Sequence, residues 1–226
     1  RTKNATRNII WGITYKVSTL FLPFIVRTVM IYSLGSEYLG LSSLFTSVLN
    51  VLSLAELGVG SAMVYAMYKP IAENDTDTVC GLMNLYRKIY KIIGVIIIIA
   101  GLVIMPFLRN FISGEIPKDI NIYTLFAIYL INTAGSYLLF AYQASVLNAS
   151  QRNDIASKVN MFTGIAKNVF QIVILLLWRN YYGYVVLLPI TSFTANVITA
   201  VCARRMYPEY TCRGEVEPNL IKEIRS

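Results

Sequence analysis

Apolar residues run along this chain in six long stretches, at roughly 9–34, 39–68, 82–108, 122–147, 159–178 and 182–205, with short polar breaks between them. Each approaches or exceeds the ~20 residues that an α-helix needs to cross a bilayer. The first two are longer than a perpendicular crossing requires, which predicts tilt or extension past the hydrocarbon. The breaks carry their own signals. Gly35 and Ser36 close the first stretch. Lys69-Pro70 is expected to end the second, because the residue before a proline is pushed out of the helical region. Residues 113–121 (SGEIPKDIN) read as a polar turn, and Arg179 to Tyr182 as a tight aromatic turn at an interface. The pattern predicts an all-α fold: a polytopic membrane helical bundle with six transmembrane helices within residues 1–205. Residues 206–226, with Pro208, Pro218 and mixed charges, read as a linker. The opening RTKNATRN shows no cleavable signal peptide, and the run after it is expected to be a transmembrane helix kept in the mature protein.

Charge then sets an orientation. Most of the 20 Lys and Arg residues fall within 1–8, 69–91, 148–158 and 204–226, whereas the opposite breaks hold only Arg109, Lys118 and Arg179. Cytoplasmic loops carry the Lys/Arg excess, so both ends of this chain are expected in the cytoplasm. The same placement accounts for the net charge of +8 without a nucleic-acid partner. Composition agrees with a membrane setting: 56% of residues are hydrophobic and only 14% charged, against roughly 45–50% apolar in soluble domains. The three cysteines, Cys80, Cys202 and Cys212, lack metal-ligand spacing and fall on the expected cytoplasmic side, where thiols stay reduced. There is no histidine, and no P-loop, GxSxG, HExxH or paired-carboxylate arrangement. Neither an enzyme nor a bound metal or cofactor is expected.

Apart from Arg87, Lys88 and Lys91 in the opening turns of the third stretch and Arg204 and Arg205 at the end of the sixth, the apolar stretches carry only Lys16, Arg27, Glu56 and Lys167 as charged residues. An ionisable group in the hydrocarbon costs roughly 2.5–3.5 kcal/mol even on the lenient insertion scale, so each is expected to face a partner, a wet cavity or a substrate. Lys16 and Arg27 are eleven residues apart, which returns them to within roughly 20° on the first helix and separates them by about 16 Å in depth. A basic ladder of this kind suits an anionic group moving through a cavity; structural ion pairing or snorkelling to an interface is the plainer alternative. Glu56 sits at a depth similar to Lys16, so a Lys16–Glu56 salt bridge is one reading and proton or cation coupling another. The second helix adds a polar stripe of Ser43, Ser47, Asn50, Ser53 and Glu56. The fifth repeats the theme with Asn160, Gly164, Lys167 and Gln171. Asn50, Ser53, Asn160 and Gln171 are thus candidate polar lining of a cavity, or else ordinary interhelical hydrogen-bonding groups.

Several strings point further. NIIWGITYKVSTLFLPFIVRTVMIYSLGSEYLGLSSLFTSVLNVLSLAELGVGSAMVYAMYKPIAEND, with YRKIYKIIG and LLFAYQASVLNASQRNDI later, resembles polysaccharide repeat-unit flippases. These are Wzx-like proteins of the multidrug/oligosaccharidyl-lipid/polysaccharide exporter superfamily, and the resemblance runs from residue 4 to about 210. EYLGLSSLF and LAELGVGSA are its more specific parts.

The resemblance implies a two-lobe exporter fold of which this chain is the N-terminal six-helix lobe. It implies a transporter that moves polyprenyl-diphosphate-linked oligosaccharide across a bacterial inner membrane by alternating access, for surface polysaccharide biosynthesis. Implied partners are that lipid-linked glycan, membrane lipid, a polysaccharide polymerase and glycosyltransferases. Arg27, Lys16 and Lys167 are then expected to bind the diphosphate. Arg27 falls where related flippases carry a first-helix arginine near an acid, although Thr28 follows it here. A multidrug or cation antiporter of the same superfamily, or a non-transport component of a polysaccharide assembly complex, is the alternative.

Overall fold

The computed structural model describes residues 2–56, 58–112 and 114–216, and among them the chain is helical with no β-strand. Four helical stretches, Thr6–Ser33, Thr76–Phe111, Asn153–Leu177 and Tyr181–Met206, are each long and apolar enough to cross a membrane. A bent pair, Ile122–Leu138 and Gln143–Ala149, makes a fifth if counted as one span. We number the helices α1 (Thr2–Ser33), α2 (Ser36–Leu52), α3 (Val59–Glu73), α4 (Thr76–Ile104), α5 (Leu108–Phe111), α6 (Ile122–Leu138), α7 (Gln143–Ala149), α8 (Asn153–Leu177) and α9 (Tyr181–Met206).

The expected span 39–68 departs most from the sequence reading. It is two helices, α2 and α3, separated by a 3₁₀ turn over Ser53–Glu56 and by Gly58, whose φ of 87° lies in the left-handed region that glycine enters freely. Neither half is among the helices long and apolar enough to cross a membrane. The expected span 122–147 is also bent, by 55°, between α6 and α7. The hinge there is Phe140 at φ 58°, a conformation that a bulky residue adopts only under constraint.

Pro70 does not end its helix as expected. It lies inside α3, which runs on to Glu73. The stop comes from Asn74 in the left-handed conformation, with the Asp75 N–H bonded to the Pro70 carbonyl at 2.9 Å and the Asn74 N–H to the Ile71 carbonyl at 3.4 Å. This paired closure satisfies carbonyls that a helix end otherwise leaves open. The next residue, Asp75, caps α4 through the Thr78 N–H at 3.1 Å. Asn121 caps α6 and Asn180 caps α9 in the same way.

Small residues bring the central helices together. A side-chain carbon added at Gly94 would meet Leu138 at 2.8 Å, and one added at Gly101 or Gly135 would fall inside Leu130 or Phe193. Glycine thus lets α4 and α9 lie close against α6, the packing route available where lipid removes the usual hydrophobic drive. Polar links add to the α6–α9 contact: Ser192 donates to Asn132 at 2.8 Å and Asn196 to the Ser136 carbonyl at 3.1 Å. Helix α1 lies at the margin, packed mainly on α8, with Ile13, Leu20, Phe21 and Phe24 exposed as a lipid-type surface.

At the end of the bundle that holds the basic breaks, α1 is clasped to the start of α8. Asp154, with a fully buried side chain, receives Arg7 at 2.9 Å, Arg152 at 3.1 Å and Lys158 at 3.5 Å. Asn8 completes the clasp: it accepts the Asp154 N–H at 2.9 Å and donates to the Gln151 carbonyl at 3.0 Å.

The segment after α9 is no free linker over its described length. Residues 207–216 fold back onto the first turns of α4. The Thr211 N–H reaches the Cys80 sulfur at 3.3 Å, and Asn84 donates to the Gly214 carbonyl at 2.9 Å. Residues 217–226 lie outside the described residues.

Candidate functional site

Two adjoining cavities open between α1, α2, α8 and α9. The larger, of about 300 Å³, is lined by Arg27 from α1, by Ser42, Ser43, Thr46 and Ser47 from α2, and by Lys167 and Gln171 from α8. The smaller, of about 220 Å³, is lined by Tyr15, Ser18 and Thr19 from α1, by Asn160 and Lys167 from α8, and by Ser192 from α9. Pro23, Lys167 and Asn168 border both. Among the described residues no acidic side chain lines either cavity. Lys167 is half-buried and, like Arg27, has no ion-pair partner among the described residues. Two cations and a row of hydroxyls therefore face one hollow whose surroundings are largely apolar. Such a surface attracts an anion or water and repels a cation.

The structure separates the sequence-derived candidates into groups. Arg27, Lys167 and Gln171 meet in the larger cavity, and Asn160 in the smaller. Gln171 is 1% exposed and donates to the Tyr184 carbonyl at 3.2 Å, so its amide also ties α8 to α9. Lys16 is exposed and lines neither cavity. The cavity nearest its level is lined from α1 by Tyr15, Ser18, Thr19, Leu22 and Pro23, without Lys16. Asn50 is exposed and outside both cavities; Ser53, just past the end of α2, donates back to the Leu49 carbonyl at 2.9 Å.

Glu56 takes a different place. Among the described residues it forms no ion pair with Lys16, which corrects that expectation. Its carboxylate accepts the Tyr90 hydroxyl, and Tyr90 in turn accepts from Tyr86 at 2.6 Å. Tyr137 from α6 lies against the same carboxylate and against the Tyr90 ring, with centroids 5.4 Å apart. Gly60 leaves the room: a carbon added there would meet the Tyr86 hydroxyl at 3.1 Å and Glu56 Oε1 at 3.6 Å. The break between α2 and α3 is thus occupied by a carboxylate satisfied by phenols from α4 and α6.

Sequence reasoning missed Ser42, Thr46, Asn168, Tyr129 and Tyr184, which all border the larger cavity. Ser42 and Tyr129 hydroxyls bond at 2.8 Å, and Tyr184 stacks on Tyr181 at 5.7 Å. A signal existed for Ser42 and Thr46: both neighbour the recognised stripe on α2, one position round from Ser43 and Ser47. No family model, curated protein or solved structure matches the chain.

Proposed function

We propose that this chain is the N-terminal six-span lobe of a membrane transporter that flips polyprenyl-diphosphate-linked oligosaccharides across a bacterial inner membrane by alternating access. The observation that carries the reading is the shared placement of Arg27 and Lys167 in one acid-free hollow inside an apolar helical bundle. A diphosphate is the anion such a pair suits: the guanidinium offers a two-pronged fork and the ammonium a point charge. The serines and threonines of α2 supply hydroxyls for sugar or phosphate oxygens. An antiporter of cationic drugs fits this hollow less well, because its two charged lining groups are both positive.

In this reading α2 and α3 together form the second span, α6 and α7 the fourth, and both described ends face the cytoplasm with the Lys/Arg excess. Lys16 serves entry or lipid headgroups rather than the hollow itself. The polymerase and glycosyltransferases are the expected neighbours.

The test uses the full-length protein. Arg27→Ala is expected to abolish glycan export at normal protein level in the membrane, and Arg27→Lys to keep part of it. Wild-type export by Arg27→Ala would overturn the proposal. Orientation is checked separately: cysteines at Ser36 and Asn180 are expected to react with an impermeant thiol reagent in intact cells, and cysteines at Asn74 and Asn153 to stay unlabelled.

A further inference from the structure

A second basic hollow lies at the other end of the molecule, away from the Arg27–Lys167 cavity. It has a volume of about 390 Å³ and is bounded by α4, the α6–α7 bend, the last turn of α9 and residues 207–212. Arg87 and Arg204 line it, with Tyr142, Tyr207, Tyr210 and Cys212. Its state of satisfaction sets it apart from the Asp154 clasp, where every cation converges on a carboxylate. The Arg87 Nε is buried and has no hydrogen-bond partner among the described residues. Among the described residues neither Arg87 nor Arg204 forms an ion pair, and no acid lines the hollow. A buried guanidinium N–H left open is costly, so its retention calls for an acceptor.

The walls are built rather than incidental. The Arg204 guanidinium lies 5.2 Å over the Phe140 ring, which anchors its stem and directs its fork. Phe140 is the residue held at positive φ in the α6–α7 bend, so the strained hinge presents the ring on which Arg204 rests. Tyr207 and Tyr210 stack at 5.8 Å and form an aromatic side. The segment carrying them is pinned to α4 through Cys80 and Asn84.

We propose that this hollow binds a phosphate-bearing group, with Arg87 and Arg204 as its two ligands and the Tyr207–Tyr210 face against whatever the phosphate carries. A tetrahedral dianion suits two guanidinium forks and supplies the acceptor that the Arg87 Nε lacks. The site is independent of the transported substrate. Two sources offer the same chemistry at this end of the bundle, a phospholipid headgroup and a soluble phosphate compound.

Cys212 reports occupancy. Burial pushes its thiol up, while Arg87 and Arg204 pull it down. A bound phosphate both covers the sulfur and cancels the two positive charges, so it slows reaction of the thiolate. The experiment measures N-ethylmaleimide labelling of the purified full-length protein, resolved by peptide mass. Cys202, half-buried on α9, is the internal control.

Inorganic phosphate is expected to slow Cys212 labelling about tenfold at about ten times its Kd, relative to chloride at matched ionic strength, with Cys202 unchanged. If inorganic phosphate has no effect but vesicles containing phosphatidic acid protect where phosphatidylcholine alone does not, the ligand is the lipid headgroup. Arg87→Gln and Arg204→Gln are expected to remove the protection, and Arg87→Lys to keep part of it. Absence of protection by both probes in the wild-type protein, or undiminished protection in a folded Arg87→Gln variant, overturns the proposal. The wild-type measurement decides even where a variant fails to fold.

Discussion

Asp154 and Glu56 are both carboxylates drawn into the bundle, and the chain satisfies them in opposite ways. Asp154 sits at a helix end among Arg7, Arg152 and Lys158. Glu56 sits at a break within the apolar region and receives phenol hydroxyls instead. The difference follows from where each lies. Near the end of the bundle the partner cations keep a quarter to a third of their surface in water, 31%, 25% and 34%, so gathering them around one acid is tolerable. At mid-depth each added cation would carry its own desolvation cost, whereas a phenol donates a proton without carrying charge. The first arrangement is an electrostatic clasp and the second a hydrogen-bonded one.

That contrast predicts a ranking. Asp154→Asn removes the charge that holds three cations together, and it is expected to cost about 2–4 kcal/mol, the scale for breaking a buried pair whose partners are partly solvated. The unfolding midpoint of the detergent-purified protein checks it; an unchanged midpoint would show that the clasp is cosmetic. Tyr90→Phe removes one donor from the Glu56 carboxylate and should cost about 1–2 kcal/mol.

Glu56→Gln retains an acceptor for Tyr90 but exchanges a charge-assisted bond for a neutral one, with an expected loss of about 1 kcal/mol. In the combined Tyr90→Phe, Glu56→Gln protein the two losses should fall short of their sum, because both delete the same bond. Smallest of all is Lys16→Met. Lys16 and Glu56 share no contact, so the change is expected to stay within about 0.5 kcal/mol and to add independently to Glu56→Gln. Rescue of one by the other in a melting experiment would restore the salt bridge that the structure does not contain.

The sequence was most informative where the chain uses local chemistry. The polar breaks and the helical runs of α8 and α9 were readable because each depends on near neighbours in sequence. Glu56 stood out because a charge within an apolar run is conspicuous. Asp154 did not, since a charged residue in a polar break looks ordinary, and its partner Arg7 lies far away in the chain. The division of 39–68 was hidden for a similar reason. Gly58 and Gly60 read equally well as close-contact residues in an unbroken helix, and the phenols that fill the gap come from α4 and α6. The bend at Phe140 had no local signal, because phenylalanine is a poor choice for positive φ and is held there by its surroundings. For the larger cavity, the basic residues were legible one by one, but their grouping depended on how α1 turns against α8. That packing brings Arg27 and Lys167 to one cavity and leaves Lys16, about 16 Å away along α1, outside it.

The broken helix at Ser53–Gly58 also bears on how the protein is made. A hydrophobic helix that satisfies its own backbone can settle in lipid as soon as it leaves the ribosome. Residues 36–73 carry instead a carboxylate at their break, and its phenol donors lie outside the segment. The hydroxyls that quiet Glu56 come from Tyr90 and Tyr137, which are synthesised later. The α2–α3 segment is therefore completed only when α4 and then α6 pack against it, so its final arrangement depends on helices that follow it in the chain.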